Sequence, residues 1–194
     1  LHDSLARAPI RKRTLDLLHL EQPDVVGHEK EWDLTPGSAY LVAIAAVDLW
    51  LDTLLHALDE DEQLHGRVAI ILTTDHGGGD PAKTHTNAAA PVNFTIPFLV
   101  WTGQHQPPVD LYALNQATRA RPRAGENPVF SADPPPIRNG EAGNLALRIL
   151  GLPAIPGSRH GARHDLRLSA NEPISPPNAA IRKKPPRSAE DRTE

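Results

Sequence analysis

The chain is 194 residues long, carries a formal net charge of −4 and contains neither cysteine nor methionine. That length suffices for one domain with a hydrophobic core and is short for two. The acidic balance advertises no basic nucleic-acid surface, and the lack of thiols excludes disulfide scaffolds and thiolate metal sites. No basic, apolar, small-residue opening reads as a signal peptide, so a periplasmic or secreted location would require one upstream of Leu1. The longest apolar stretches, such as Tyr40 to Val47, are too short to predict a membrane span.

In chain order, Thr14 to Leu20 reads as a first buried strand, interrupted by Asp16 and His19 and ended by Pro23. A loop from Asp24 to His28 follows. Thr35-Pro36-Gly37-Ser38 supplies a turn and an N-cap. Leu41, Ile44, Val47, Leu51, Leu54 and Leu58 then recur three or four apart, predicting an amphipathic helix from about Ser38 to Asp59. Its C-terminal end is acidic, at Asp59-Glu60-Asp61-Glu62, against the preference of the helix dipole.

Gly66 breaks the chain before the β-branched run Val68 to Leu72, a strand after a helix and thus a βαβ signal. The expected fold class is α/β, with a mostly parallel sheet flanked by helices. A second strand, Thr95 to Trp101, follows a polar loop of roughly eighteen residues, a length unusual without secondary structure unless the loop serves a site or is disordered. Prolines 134 to 136 introduce a last helix over Ala142 to Leu150, stopped by Gly151. From Asn171 the sequence turns proline-rich and basic without apolar periodicity. The expected division is therefore an α/β domain over 1–168 and a flexible tail over 169–194. No internal repeat is present.

Five metal-type ligands fall in three short stretches: Asp24 and His28, Asp75 and His76, and His85. Chemistry in open α/β sheets gathers beyond the carboxyl ends of strands, and carboxylate with imidazole suits zinc or manganese. Asp24 and His28 would share one face of a helical turn, and Gly27 would let a tight loop achieve the same. Asp75 and His76 are adjacent, so they can approach one site only if the strand ends there and the chain turns. Gly77-Gly78-Gly79 is material for that turn. Thr86 or Asn87 is a candidate to hydrogen-bond the free ring nitrogens or carboxylate oxygens of such ligands. Taken singly, Asp-His-Gly at a strand end and a lone His85 have bland readings as ordinary polar residues. His160 and His164 have ligand spacing but read as solvated, and the triple glycine lacks the pattern of a phosphate-binding loop.

Pro23-Asp24-Val25-Val26-Gly27-His28, then Ser38-Ala39-Tyr40 leading to Ala46-Val47-Asp48, then Thr74-Asp75-His76-Gly77, resembles the alkaline phosphatase superfamily. Within it, the closest look is the type I phosphodiesterase/nucleotide pyrophosphatase and sulfatase-like branch. Ile96 to Trp101, Pro136-Ile137-Arg138-Asn139-Gly140, Asn144-Leu145-Ala146 and Leu150-Gly151-Leu152-Pro153 resemble later segments of that branch. The resemblance covers most of residues 17 to 158.

That resemblance implies an alkaline-phosphatase-like core and two divalent metals, usually zinc, about 4 Å apart. Asp24, His28 and His85 match ligands of the first metal, and Asp75 and His76 ligands of the second; Asp48 matches a structural helix position. The implied reaction is hydrolysis of a small-molecule phosphate mono- or diester, with no nucleic-acid or membrane partner. The family's Ser or Thr nucleophile lies N-terminal to the Asp-x-x-x-His motif. Here Asp3-Ser4 is the nearest pair and looks accidental, so the expectation is the C-terminal half of an incomplete core, its nucleophile on a missing N-terminal segment. Sulfate ester hydrolysis and a non-catalytic metal-binding scaffold are the alternatives.

Overall fold

Residues 13–21 form neither helix nor strand, and Leu15, Leu17, Leu18 and Leu20 in this segment face solvent, Leu17 at 95% exposure. The computed structural model describes residues 13–103 and 107–172. The expected buried strand at Thr14–Leu20 is therefore not formed among the described residues. An extended segment needs a neighbouring ladder for its N–H and C=O groups, and the two described strands pair with each other instead. Asp3-Ser4 lies outside the described residues.

The expected Asp24-to-His28 loop is a helix, α1 (Gln22–Lys30). Pro23 sits in its first turn, where a missing N–H costs nothing. Asp24 lies near the positive end of the dipole, and His28 and Lys30 near the negative end. A tight cap then prepares α2 (Ala39–Glu60). Asp33 Oδ1 accepts the Thr35 N–H at 2.8 Å, the Ser38 hydroxyl donates to Asp33 O at 2.5 Å, and Ser38 Oγ accepts the Leu41 N–H at 3.2 Å.

The predicted apolar stripe of α2 divides in two. Leu54 and Leu58 join Leu64 in the main core, ringed by Trp50, Val68, Ile70 and Trp101. Nearer its start, Ala43 is buried while Ile44 is exposed, and Val42 and Leu49 face solvent. At 22 residues α2 is long and apolar enough, by length and composition, to cross a membrane. That exceeds the Tyr40 to Val47 run, because alanine and leucine continue the apolar character past Asp48. Here α2 packs on α1 and carries the core cluster.

Strands β1 (Ile70–Thr73) and β2 (Phe98–Trp101) form a two-stranded antiparallel sheet, Ile70 opposite Trp101 and Thr73 opposite Phe98. The architecture is mixed α/β. The mostly parallel sheet expected from the βαβ signal is not what the described residues form. A parallel pair needs a crossover that returns the chain to the opposite end of the sheet, usually through a substantial helix. Between β1 and β2 stands only the one-turn α3 (Pro91–Phe94), and the chain re-enters at the end it left. Buried Asn93 organises that loop: its Nδ2 donates to Asp80 O at 2.5 Å and to Asn87 O at 2.9 Å. Gly77 N–H donates to Asn93 O at 2.9 Å, and a Cβ at Gly77 would collide with the Val92 carbonyl.

The remainder comprises α4 (Leu111–Leu114), capped by Asp110, and α5 (Glu141–Ile149), within one residue of its predicted start and end. Gly151 terminates it at φ +69°. Glu141, on the first turn of α5, is buried against Arg119, whose Nη2 reaches Glu141 Oε2 at 2.6 Å and Asp165 Oδ1 at 2.8 Å. Fully buried Asn144 ties α5 to the following loop, accepting Ile155 N–H at 2.8 Å and donating to Ser158 Oγ at 2.9 Å. Near the expected tail boundary, Glu172 still takes Arg148 Nη1 at 2.8 Å and the Leu168 N–H at 2.6 Å. The rest of the expected tail, 173–194, lies outside the described residues.

Candidate metal centre

Three separate stretches meet at one end of α1. Because α1 is helical, Asp24 and His28 share a face, with Asp24 Oδ1 3.5 Å from His28 Nε2. Strand β1 ends at Thr73, and the chain turns at once. That turn brings both members of the adjacent pair to one corner, His76 half-buried and Asp75 open to solvent: Asp75 Oδ2 lies 3.5 Å from His76 Nε2, and His76 Nε2 lies 3.8 Å from Asp24 Oδ1. His85 stacks on His76, ring centroids 3.6 Å apart and planes at 18°, and its ring stands 5.4 Å from that of His28. All five residues singled out from the sequence are brought together, from positions up to 61 apart.

Hydrogen bonding fixes how two of the imidazoles face. His28 Nδ1 lies 2.8 Å from Lys83 O, and His76 Nδ1 lies 2.6 Å from Gly77 O. A carbonyl oxygen only accepts, so each Nδ1 carries the proton, and in a neutral ring the Nε2 lone pair is left free. Both free nitrogens face Asp24 Oδ1, a buried oxygen with no hydrogen-bond partner. Lone pairs converging on a carboxylate oxygen repel unless positive charge stands among them, supplied by a second ring proton or by a cation.

Ligands at about 2.0–2.1 Å from a tetrahedral zinc stand about 3.3 Å apart. The three donor separations of 3.5, 3.5 and 3.8 Å sit just above that spacing. The donor set thus fits a divalent cation chemically. Among the described residues, however, no group of three or more His, Asp or Glu is arranged to hold a metal ion as it stands. Backbone carbonyls of Lys83 and Gly77, rather than Thr86 or Asn87, orient the rings. The Thr86 hydroxyl meets Thr84 Oγ1 at 3.3 Å, and Asn87 Oδ1 accepts the Ala89 N–H at 3.1 Å.

Two participants are not expected at the site from the sequence, although Asn139 falls within a stretch that carries the family resemblance. Asn139, 64 residues from Asp75, donates through Nδ2 to Asp75 O at 2.9 Å and to Thr74 O at 3.2 Å, pinning the corner where β1 ends. Trp32 lies edge-on to His28, ring centroids 5.0 Å apart, and to His85 at 6.4 Å. Tyr40, 6.4 Å from Trp32, has its phenol pushed above the ordinary range by burial and then by the charge of Asp24. Asp48, whose counterpart the resemblance makes structural, is exposed on α2. His160 and His164 are half-buried rather than solvated; the ring of His160 packs on Gly140, and His164 Nε2 is buried without a partner.

The family model described as type I phosphodiesterase / nucleotide pyrophosphatase matches residues 2–121, a span that contains all five residues of the cluster and stops before α5. No curated protein and no solved structure gives a significant match to the chain.

Proposed function

Because the chain belongs to the type I phosphodiesterase / nucleotide pyrophosphatase family, a family of hydrolases acting on small-molecule phosphate esters, we propose that it hydrolyses phosphate mono- or diesters through a two-metal site. In this reading Asp24, His28 and His85 serve one ion, Asp75 and His76 the other. Zinc is the expected metal, and manganese would suit the same donors. The observation that carries the reading is Asp24 Oδ1, buried, unpartnered, and faced by the Nε2 atoms of His28 and His76.

Divalent cations at this place would polarise the phosphoryl oxygens and raise the acidity of an attacking hydroxyl or water. The chain's own groups prepare that chemistry. The carbonyls of Lys83 and Gly77 hold the Nδ1–H tautomers, so the rings present basic nitrogens without a search through orientations. His85 stacks on His76 in a nearly parallel plane, and this reading assigns the two rings to neighbouring ions. The Asp75 side chain is 86% exposed, which gives a substrate an approach from solvent. Among the described residues no Ser or Thr hydroxyl hydrogen-bonds any of the five. The proposal accordingly assigns the attacking hydroxyl to none of the described Ser or Thr side chains.

The test is hydrolysis of bis(4-nitrophenyl) phosphate and 4-nitrophenyl phosphate by the full-length protein with zinc. Asp24→Ala and Asp75→Ala should each lower kcat/KM at least about a hundredfold. Retention of most of the activity in either variant would sink the assignment. A preference for 4-nitrophenyl sulfate over both phosphates would move the substrate to sulfate esters.

A further inference from the structure

Trp32 occupies a place that two glycines leave open. Its indole packs flat against Gly27 on α1 and against Gly78 in the loop after β1. A Cβ on Gly27 would fall 2.7 Å from Trp32 Cδ2 and Cζ2, and one on Gly78 would fall 2.5 Å from the same two atoms. Either contact is far inside van der Waals distance. The neighbouring Gly79 approaches Trp32 Cβ at a distance that a Cβ would reduce to 3.5 Å. A single ring thus spans the stretch bearing Asp24 and His28 and the stretch bearing Asp75 and His76, with its edge toward His28 and His85.

The backbone gives up conformational comfort to put the ring there. Glu31, the residue closing α1, has φ 72° and ψ 158°, a region that side chains other than glycine rarely enter. This conformation turns the chain back on itself, so that Trp32 lies under Gly27, five residues earlier. Gly27 itself is buried in consequence.

We infer that Trp32 is a positioning residue for the candidate metal centre: its indole, seated on Gly27 and Gly78, sets the spacing between the Asp24–His28 pair and the Asp75–His76 pair. The inference rests on the reading of those side chains as metal ligands. Trp32 touches no reacting atom and acts through the residues it spaces. It also assigns a reason for glycine at positions 27 and 78 that backbone angles do not supply, since neither has a positive φ.

The experiment is a double-mutant cycle on zinc affinity in the full-length protein, with thermal unfolding monitored for each variant. Gly78→Ala and Trp32→Ala should each weaken zinc binding by about tenfold or more, the usual effect of a support behind metal ligands. In the Trp32→Ala background, Gly78→Ala should cost less than about twofold, because the atom it collides with is gone. Gly27→Ala should behave in the same way, and Trp32→Phe should recover part of the affinity. A merely structural role for the ring would lower the melting temperature without this coupling. Equal costs of Gly78→Ala in both backgrounds, with a wild type that binds zinc, would overturn the inference alone. A wild type that takes up no zinc would overturn the metal reading and the inference together.

Discussion

Glu31 concentrates the local cost of this arrangement. A non-glycine residue at φ 72°, ψ 158° carries strain on the order of 1–3 kcal/mol. Glu31→Gly should therefore stabilise the protein by about 1 kcal/mol, the strain relieved being partly offset by the freedom glycine adds to the unfolded chain. Urea denaturation checks this, and a loss of stability would remove the strain argument. His164 offers a second residue-level test. Burial, and then the charge of Arg148, hold its pKa below the ordinary imidazole value, with Asp165 opposing them. A histidine whose folded pKa is depressed contributes stability that is present above its unfolded pKa of about 6.5 and lost as pH falls toward the folded value. The wild type should consequently lose more stability between pH 7 and pH 5 than His164→Gln does, as read from melting temperatures across that range. Parallel curves would contradict it.

The elements differ in how openly their sequences declare them. Helix α2 was legible because its signals are contiguous: Ser38 as cap, then leucines at helical spacing. Helix α5 was legible for the same reason, between three prolines and Gly151. Helix α1 was not, since its nine residues lack an apolar stripe and its valines gave no strong period. The antiparallel pairing of β1 with β2 was also hidden, because four-residue apolar strands do not encode direction. At this scale, α5 is held by a buried ion cluster in which Arg119 meets Glu141 and Asp165. Removing the single cation of this cluster leaves two carboxylates facing each other uncompensated in a dry place. Arg119→Gln should then destabilise the fold by about 3–5 kcal/mol, measured by chemical denaturation. A loss below about 1 kcal/mol would show that solvent reaches the carboxylates.

For the whole molecule, the five clustered residues lie on α1, the end of β1 and the long loop, and they are neighbours only while all three keep their places. If the proposed ions bind there, they bind the folded state and scarcely the unfolded chain. Zinc at about 100 times its Kd should then stabilise by about 2.7 kcal/mol, with a melting temperature that climbs with zinc concentration and falls back on chelation. Asp75→Ala should blunt that rise. An unchanged melting temperature in the wild type would mean that the cluster binds no metal.

From the sequence alone came the identities of Asp24, His28, Asp75, His76 and His85, the family pattern that orders them, and the extents of α2 and α5. Each of these is written in contiguous residues: a cap, a period, a motif of a few positions. The antiparallel sheet, the Trp32 seat on two glycines, the Asn139 hold on Asp75 and the Arg119 cluster were decided only in three dimensions. They join residues tens of positions apart, and contacts of that kind follow from which surfaces pack together, a property that no local spacing records.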